Sequence, residues 1–212
     1  MCGMTPPMAR SVRASLPKSK EGLVMSLLFV NACMREGSRT ERLARMWLEQ
    51  RGFEGEVEEV SLADLDVEPL GASGCNPLEA YSQSVASGVY DHSMFQHAKK
   101  FAQADEVLIA APFWNYGVPA KLHAYLELVC SQGVTFDIDA AGAYVSLCNI
   151  DRLTYVTTAG GAVVDPLDDH AFGYVRTLAR RFWHIPQVHC VAAWGLDGPG
   201  ADVAALLCEA LR

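Results

Sequence analysis

Ala111-Pro112-Phe113-Trp114-Asn115-Tyr116-Gly117-Val118-Pro119-Ala120 lies between an apolar run and an amphipathic helix, and its reading decides the fold. Before it, Val107-Leu108-Ile109-Ala110 is continuously apolar, as expected of a strand buried on both faces. Pro112 ends that strand. Pro119 suits the first position of a helix whose Leu122, Tyr125, Leu126 and Val129 share one face at i, i+3, i+4, i+7 spacing. The stretch is therefore a loop running from the carboxyl end of a strand to a helix amino terminus. In open α/β sheets that edge is where ligands bind. Three aromatics beside an Asn and a Gly offer a flat ring both stacking and backbone N–H groups. The plainer alternative is an aromatic turn that only packs on its neighbours.

Outward from this loop, strand-like and helix-like segments alternate. A strand is predicted at Leu27 to Asn31, a helix at Ser38 to Arg51 and a weak strand at Val57 to Val60. Leu65 to Gly88, with Pro69, Gly71, Gly74 and Pro77, reads as a long loop with one short helix at Leu78 to Val85. A helix follows from Asp91 to Gln103, with Met94, Phe95, Ala98, Phe101 and Ala102 inward. After the aromatic loop and its helix come a hairpin within Thr135 to Val145, a strand at Leu153 to Thr157, and a helix carrying Phe172, Val175, Leu178, Ala179 and Phe182. A strand at Gln187 to Ala193 and a closing helix marked by Val203, Leu206, Leu207 and Ala210 complete the chain. This repetition predicts an α/β fold: a flavodoxin-like, doubly wound, five-stranded parallel sheet with helices on both faces. In that order a cofactor lies beside the first and third strands.

Composition narrows the function classes. A chain of 212 residues, 50% hydrophobic, suits one domain with a full core. A net charge of −8 without a basic stripe argues against nucleic acid or an anionic membrane as partner. The seven cysteines are odd in number and form no C-x-x-C pair, which reads as reduced thiols in a cytoplasmic protein. Neither cysteines nor histidines show metal-site spacing, so no metal is predicted. Residues 1–24 are read as a disordered leader, with the folded domain at 25–212. Removing the leader's four basic residues and one acid leaves 13 basic residues against 24 acidic ones.

Two further loops fall at the same predicted sheet edge. Asn31-Ala32-Cys33-Met34-Arg35-Glu36-Gly37-Ser38-Arg39-Thr40 enters the first helix and suits a phosphate. Helix N–H groups, the Ser38 and Thr40 hydroxyls and the charge of Arg35 or Arg39 are available to it. The same residues also read as a capping box, Ser38 with Glu41. Cys33 reads as buried filler or as a thiol of lowered pKa at a helix entry. Thr157-Thr158-Ala159-Gly160-Gly161 leaves another strand end, and its glycines let the backbone approach a planar ring. His170, beside Asp168 and Asp169, reads either as a proton donor at the mouth or as a solvated helix start.

Together the S-R-T loop, A-P-F-W-N-Y-G-V-P-A, S-Q-G-V-T-F at Ser131 to Phe136 and T-T-A-G-G resemble the flavodoxin-like FMN-dependent NADH:quinone oxidoreductases, also called FMN-dependent azoreductases. The likeness runs from Leu27 to the carboxyl end, and P-x-x-N-x-x-x-P-A is its most specific part. The resemblance implies a homodimer with FMN at each end of its interface. It also implies two-electron, ping-pong transfer from NADH or NADPH to quinones, and in many members to azo compounds. Carried over by position, Ser38, Arg39 and Thr40 hold the phosphate, with Cys33 near a position usually occupied by Ser. Pro112, Phe113, Trp114, Asn115 and Tyr116 lie along the isoalloxazine, with Asn115 and Tyr116 as catalytic residues. Thr158, Ala159, Gly160 and Gly161 bind the pyrimidine side, and Phe136 forms a wall at the partner subunit's flavin. Ala159 is small where a polar or charged residue is common, and Ala140 to Arg152 lacks the family's G-L-L-x-G-K-K pattern. The competing reading is a flavodoxin-like carrier passing single electrons between proteins.

Overall fold

A computed structural model describes residues 25–67, 69–70, 77–162 and 165–212; the proposed leader lies outside them. The elements in chain order are β1 (Ser26–Asn31), α1 (Arg39–Arg51), β2 (Glu56–Ser61), α2 (Pro77–Ser87), a 3₁₀ turn (Ser93–Phe95), α3 (Gln96–Gln103), β3 (Glu106–Ala110), α4 (Ala120–Val129), β4 (Phe136–Ile138), β5 (Tyr144–Ser146), β6 (Arg152–Thr158), α5 (Phe172–Arg181), β7 (Gln187–Ala193) and α6 (Val203–Glu209). Five parallel strands form one sheet in the order β2-β1-β3-β6-β7, and β4 with β5 forms a small antiparallel hairpin. The chain turns one way from β1 to β2 and the other way to β3, which puts the switch point between β1 and β3.

Side chains of successive strand residues point to opposite faces, and both faces of the central strands are covered. Leu28, Val30, Val107, Ile109, Leu153 and Tyr155 pack against Phe101, Leu122, Tyr125, Leu126, Val175 and Trp183 of α3, α4, α5 and the turn after α5. Leu27, Phe29, Leu108, Ala110 and Val156 pack against Leu43, Ala44 and Leu207 of α1 and α6. Full burial of β3 explains why its sequence is a continuous apolar run. Among the described residues no helix is long and apolar enough to cross a membrane.

Three boundaries differ from the sequence reading. Pro119 is the residue before α4, at φ −55° and ψ 143°, so the helix begins at Ala120. The helix expected from Asp91 begins as a 3₁₀ turn, because the His92 ring accepts the Met94 N–H and caps it; α3 starts only at Gln96. The short helix in the long loop extends over Pro77–Ser87.

Candidate active site

Four loops meet at the carboxyl edge of the sheet. The first leaves β1. The Asn31 side chain accepts the Cys33 N–H at 3.1 Å and donates to Glu59 at 3.0 Å, which fixes the strand exit. Cys33 is buried, and burial pushes its thiol up to about 11, so it is filler rather than an activated thiol. Gly37, at φ 68°, turns the chain into α1. Ser38 caps the helix: its hydroxyl accepts the Glu41 N–H at 3.4 Å and its carbonyl accepts Arg42 N–H at 3.0 Å. The Glu41 carboxylate turns to Arg45 at 2.7 Å, so the cap is an N-cap in which Glu41 serves the helix surface. The N–H groups of Arg39 and Thr40, in the first turn, have no intrahelical acceptor and stand at the positive end of the helix dipole.

The structure redirects two of the side chains assigned to a phosphate. Thr40 is buried and its hydroxyl pairs with that of Thr158 at 2.6 Å, joining α1 to the end of β6. Arg39 reaches to the loop after β7. Ser38, the cap of α1, makes no bond to the loops after β6 and β7 among the described residues.

The second loop is the aromatic stretch. Ala111 N–H donates to Val156 O at 3.0 Å and Phe113 N–H to Thr158 O at 3.1 Å, continuing the strand pairing past β3. Trp114 and Gly117 then exchange both backbone hydrogen bonds, at 3.2 and 2.9 Å, around Asn115 at φ 50° and Tyr116 at φ 63°. Two consecutive positive φ values within reciprocal bonds make a type I′ turn. Asn is favoured there; Tyr116 occupies the second central position, which ordinarily takes Gly, at a cost of about 1 kcal/mol. The turn is held by Tyr116 O, which accepts the His170 N–H at 3.1 Å from the start of α5. Asp169 in turn caps α5 by accepting the Ala171 and Phe172 N–H groups at 3.0 and 2.9 Å. His170 thus acts on the site through its backbone. The Trp114 and Tyr116 rings are 37% and 57% exposed, so both are free to take a flat partner.

The third loop, from Thr158 to Gly161, lies against a fourth that the sequence reading missed. Ala159 N–H donates to Ala193 O at 3.0 Å, Leu196 N–H to Ala159 O at 3.2 Å and Asp197 N–H to Gly160 O at 3.0 Å. The Trp194 ring packs edge-on against Phe113 at 5.3 Å, and Phe113 against Tyr116 at 5.9 Å, giving a row of three rings across two loops. Trp194-Gly195-Leu196-Asp197-Gly198 carries the same kind of signal as the other three, a glycine-punctuated loop after a strand, but its strand is the half-exposed edge strand β7. Among the described residues nothing lies within 4 Å of where a side chain on Gly161 would begin.

Pro112 is buried beneath the aromatic turn. Phe136 is placed apart from the four loops, on β4. Its ring is 7% exposed and packs on Phe182 and Tyr144 of its own chain, at 4.7 and 5.7 Å. Among the described residues no group of three or more His, Cys, Asp or Glu could hold a metal.

The Flavodoxin_2 family model, described as a flavodoxin-like fold, matches residues 25–212. The FMN-dependent NADH:quinone oxidoreductase 2 of Clostridium acetobutylicum is 31% identical over 173 residues, 80% of this chain and 85% of that protein. The FMN-dependent NADH:quinone oxidoreductase of Coprothermobacter proteolyticus is 28% identical over 179 residues, 84% and 89% of the two chains. Among solved structures, an FMN-dependent NADH-azoreductase from Bacillus anthracis in complex with FMN superposes with a TM-score of 0.71 at 18% identity. It covers 88% of this chain and 94% of its own.

Proposed function

The chain belongs to the flavodoxin-like family that includes the FMN-dependent NADH:quinone oxidoreductases, and on that premise we propose that it is an oxidoreductase. It binds FMN at the four loops, takes two electrons from NADH or NADPH, and passes them to a quinone or an azo compound. The observation that carries this reading is the strained turn at Asn115 and Tyr116. A bulky residue held at positive φ, anchored by His170 at one side and by β6 at the other, stands at the switch point of the sheet beside a helix amino terminus.

The donor set fits FMN. A dianionic phosphate suits the Ser38 hydroxyl and the N–H groups of Arg39 and Thr40 at the start of α1. Phe113, Trp114, Asn115 and Tyr116 supply a stacking surface and backbone donors, while the open backbone at Gly161 admits the polar edge of a ring. When bound, FMN supplies two-electron transfer between a nicotinamide and an acceptor. The protein's part is to orient the ring and to place N–H groups where negative charge collects on it. With FMN bound, the exposed Trp114 and Tyr116 side of the site would leave one ring face open, which donor and acceptor would use in turn, a ping-pong order. Asn115 and Tyr116 stand nearest that open face in this reading, and Phe136 would reach a partner's flavin only by leaving its own aromatic cluster.

We place the enzyme in the cytoplasm as a homodimer; the five described cysteines are all free, and Trp114 and Tyr116 offer apolar surface beside the site. The test is the absorbance spectrum of the chain reconstituted with FMN, followed by anaerobic NADH and then benzoquinone. Bleaching by NADH and recovery by quinone is the expected result. Bound flavin that neither NADH nor NADPH bleaches would instead favour the electron carrier, and failure to bind FMN would overturn the reading.

A further inference from the structure

Arg39 stands in the first turn of α1, where a guanidinium would be expected to meet a phosphate. Its Nη1 instead donates twice to the loop after β7, to Leu196 O at 3.0 Å and to Asp197 Oδ1 at 2.8 Å. We propose that Asp197 is a positioning residue for the flavin site: it holds the Arg39 side chain as a tie between α1 and the loop after β7, and the Arg39 guanidinium is not a phosphate ligand. The inference rests on the FMN reading above.

Three observations support the tie. Asp197 is itself fixed, since its N–H donates to Gly160 O at 3.0 Å, so the tie fastens the glycine-rich loop as well as its own. The Asp197 carboxylate also lies directly against the Gly160 Cα, where a Cβ would collide with it; glycine at 160 is what lets the carboxylate reach Arg39. Finally, the carboxyl is held below the usual carboxylate range by the Arg39 hydrogen bond and charge, with a smaller contribution from Arg35, so it stays ionised through neutral pH. The helix dipole favours the same arrangement, because its positive end repels a guanidinium and an external carboxylate offsets that repulsion. Trp194, three residues before Asp197, carries the fastening on to Phe113 at 5.3 Å. The phosphate end and the aromatic end of the site are thus connected through one exposed ion pair.

The two possible roles of Arg39 predict opposite signs for one variant. Asp197→Ala, Arg39→Ala and the double variant are prepared in the full chain, and FMN and riboflavin affinities are measured by quenching of flavin fluorescence. Exchange of the Leu196 and Asp197 amides is followed without flavin. As a tie, each single change weakens FMN and riboflavin by the same factor, about threefold for an exposed pair, and the double variant is no worse. Both amides exchange faster in each variant. Tighter FMN binding by Asp197→Ala with riboflavin unchanged would make Arg39 a phosphate ligand restrained by Asp197, and would overturn the proposal. Unchanged exchange would overturn it too. A wild-type chain that binds neither flavin would sink the FMN reading, while the exchange measurement would still decide whether the tie exists.

Discussion

Each edge of the sheet carries an arginine–carboxylate pair reaching from α1, and the two pairs do different work. At the amino edge Arg51, in the last turn of α1, pairs through two nitrogens with Glu106 at the start of β3. Its guanidinium lies over the Trp47 and Phe53 rings at 5.2 and 5.6 Å, and the two side chains are only 23% and 9% exposed. At the carboxyl edge Arg39 pairs through one nitrogen with Asp197, and those side chains are 32% and 67% exposed. Fork-on-fork pairing, stacking and burial make the first a permanent clamp. The second is wet, single-pronged and reversible, which suits an edge whose loops must accept a ligand. Ser26 reinforces the amino edge, its N–H and hydroxyl both bonding Asp105 at 2.9 and 3.1 Å.

Breaking the clamp should give the largest effect. Glu106→Ala leaves Arg51 without its partner under partial burial, and the expected loss is about 3 kcal/mol, read as a lower urea midpoint at unchanged slope. A loss below that of an ordinary surface substitution would mean that stacking on Trp47 and Phe53 alone holds Arg51.

The alkaline limb of stability sharpens the comparison at the other edge. Cys33 titrates near 9.0 when unfolded and about 11 when folded, so its contribution is complete below pH 9 and is lost as pH rises through 11. Cys130 and Cys148, both pushed up to about 12 chiefly by burial, act in the same direction. For Cys33 alone the change is roughly 2 kcal/mol. Urea midpoints at pH 8, 9.5 and 10.5 should fall in that order, and Cys33→Ala should flatten the decline. A midpoint independent of pH over this range would show that water reaches the thiols.

Tyr116→Gly comes next, because it relieves the left-handed strain in the type I′ turn. The flavin-free chain should gain about 1 kcal/mol, seen as a higher melting temperature, whereas FMN binding should weaken. A stabilised chain with undiminished FMN affinity would reduce the Tyr116 side chain to decoration of the turn.

How far the sequence discloses these features depends on whether each rests on local or distant partners. The Ala111 to Ala120 loop is legible because its residue types act locally: Pro stops the strand, Asn accepts positive φ, and Pro precedes the helix. The sheet is legible through the apolar runs of β1 and β3. What escapes is pairing across long separations. Nothing near Thr40 signals that its hydroxyl meets Thr158, 118 residues away, and nothing near Arg39 signals Asp197, 158 residues away. Phe136 matches a familiar motif, yet its ring is covered by Tyr144 and Phe182, neither of which the motif contains. The loop after β7 was within reach, since Trp194 to Gly198 follows a strand end as the other three loops do. A loop with one aromatic, following a half-exposed edge strand, carries less local signal than Pro112 to Pro119 after the continuously apolar β3.

The smallest expected effect comes from a third arginine of α1 and serves as the control for the other two. Arg45 pairs with Glu41 at 2.7 Å on its own helix and with Glu59 of β2 at 3.1 Å, all three partly exposed. Because Arg45 holds two carboxylates that would otherwise repel each other, its pKa is raised, chiefly by the Glu41 hydrogen bond. The network ties α1 to the edge strand and reaches the loops only indirectly, through the bond from Asn31 at the exit of β1 to Glu59, so Arg45→Ala should cost at most about 1 kcal/mol and change FMN affinity less than Arg39→Ala does. The comparison with Arg39→Ala is then direct: two partly exposed arginines of one helix, similar stability costs, and the larger flavin effect from the one that reaches the loop after β7. Equal flavin effects from both would trace the Arg39 result to the general field around α1 rather than to its tie with Asp197, and a steep salt dependence shared by the two variants would identify that field as the cause.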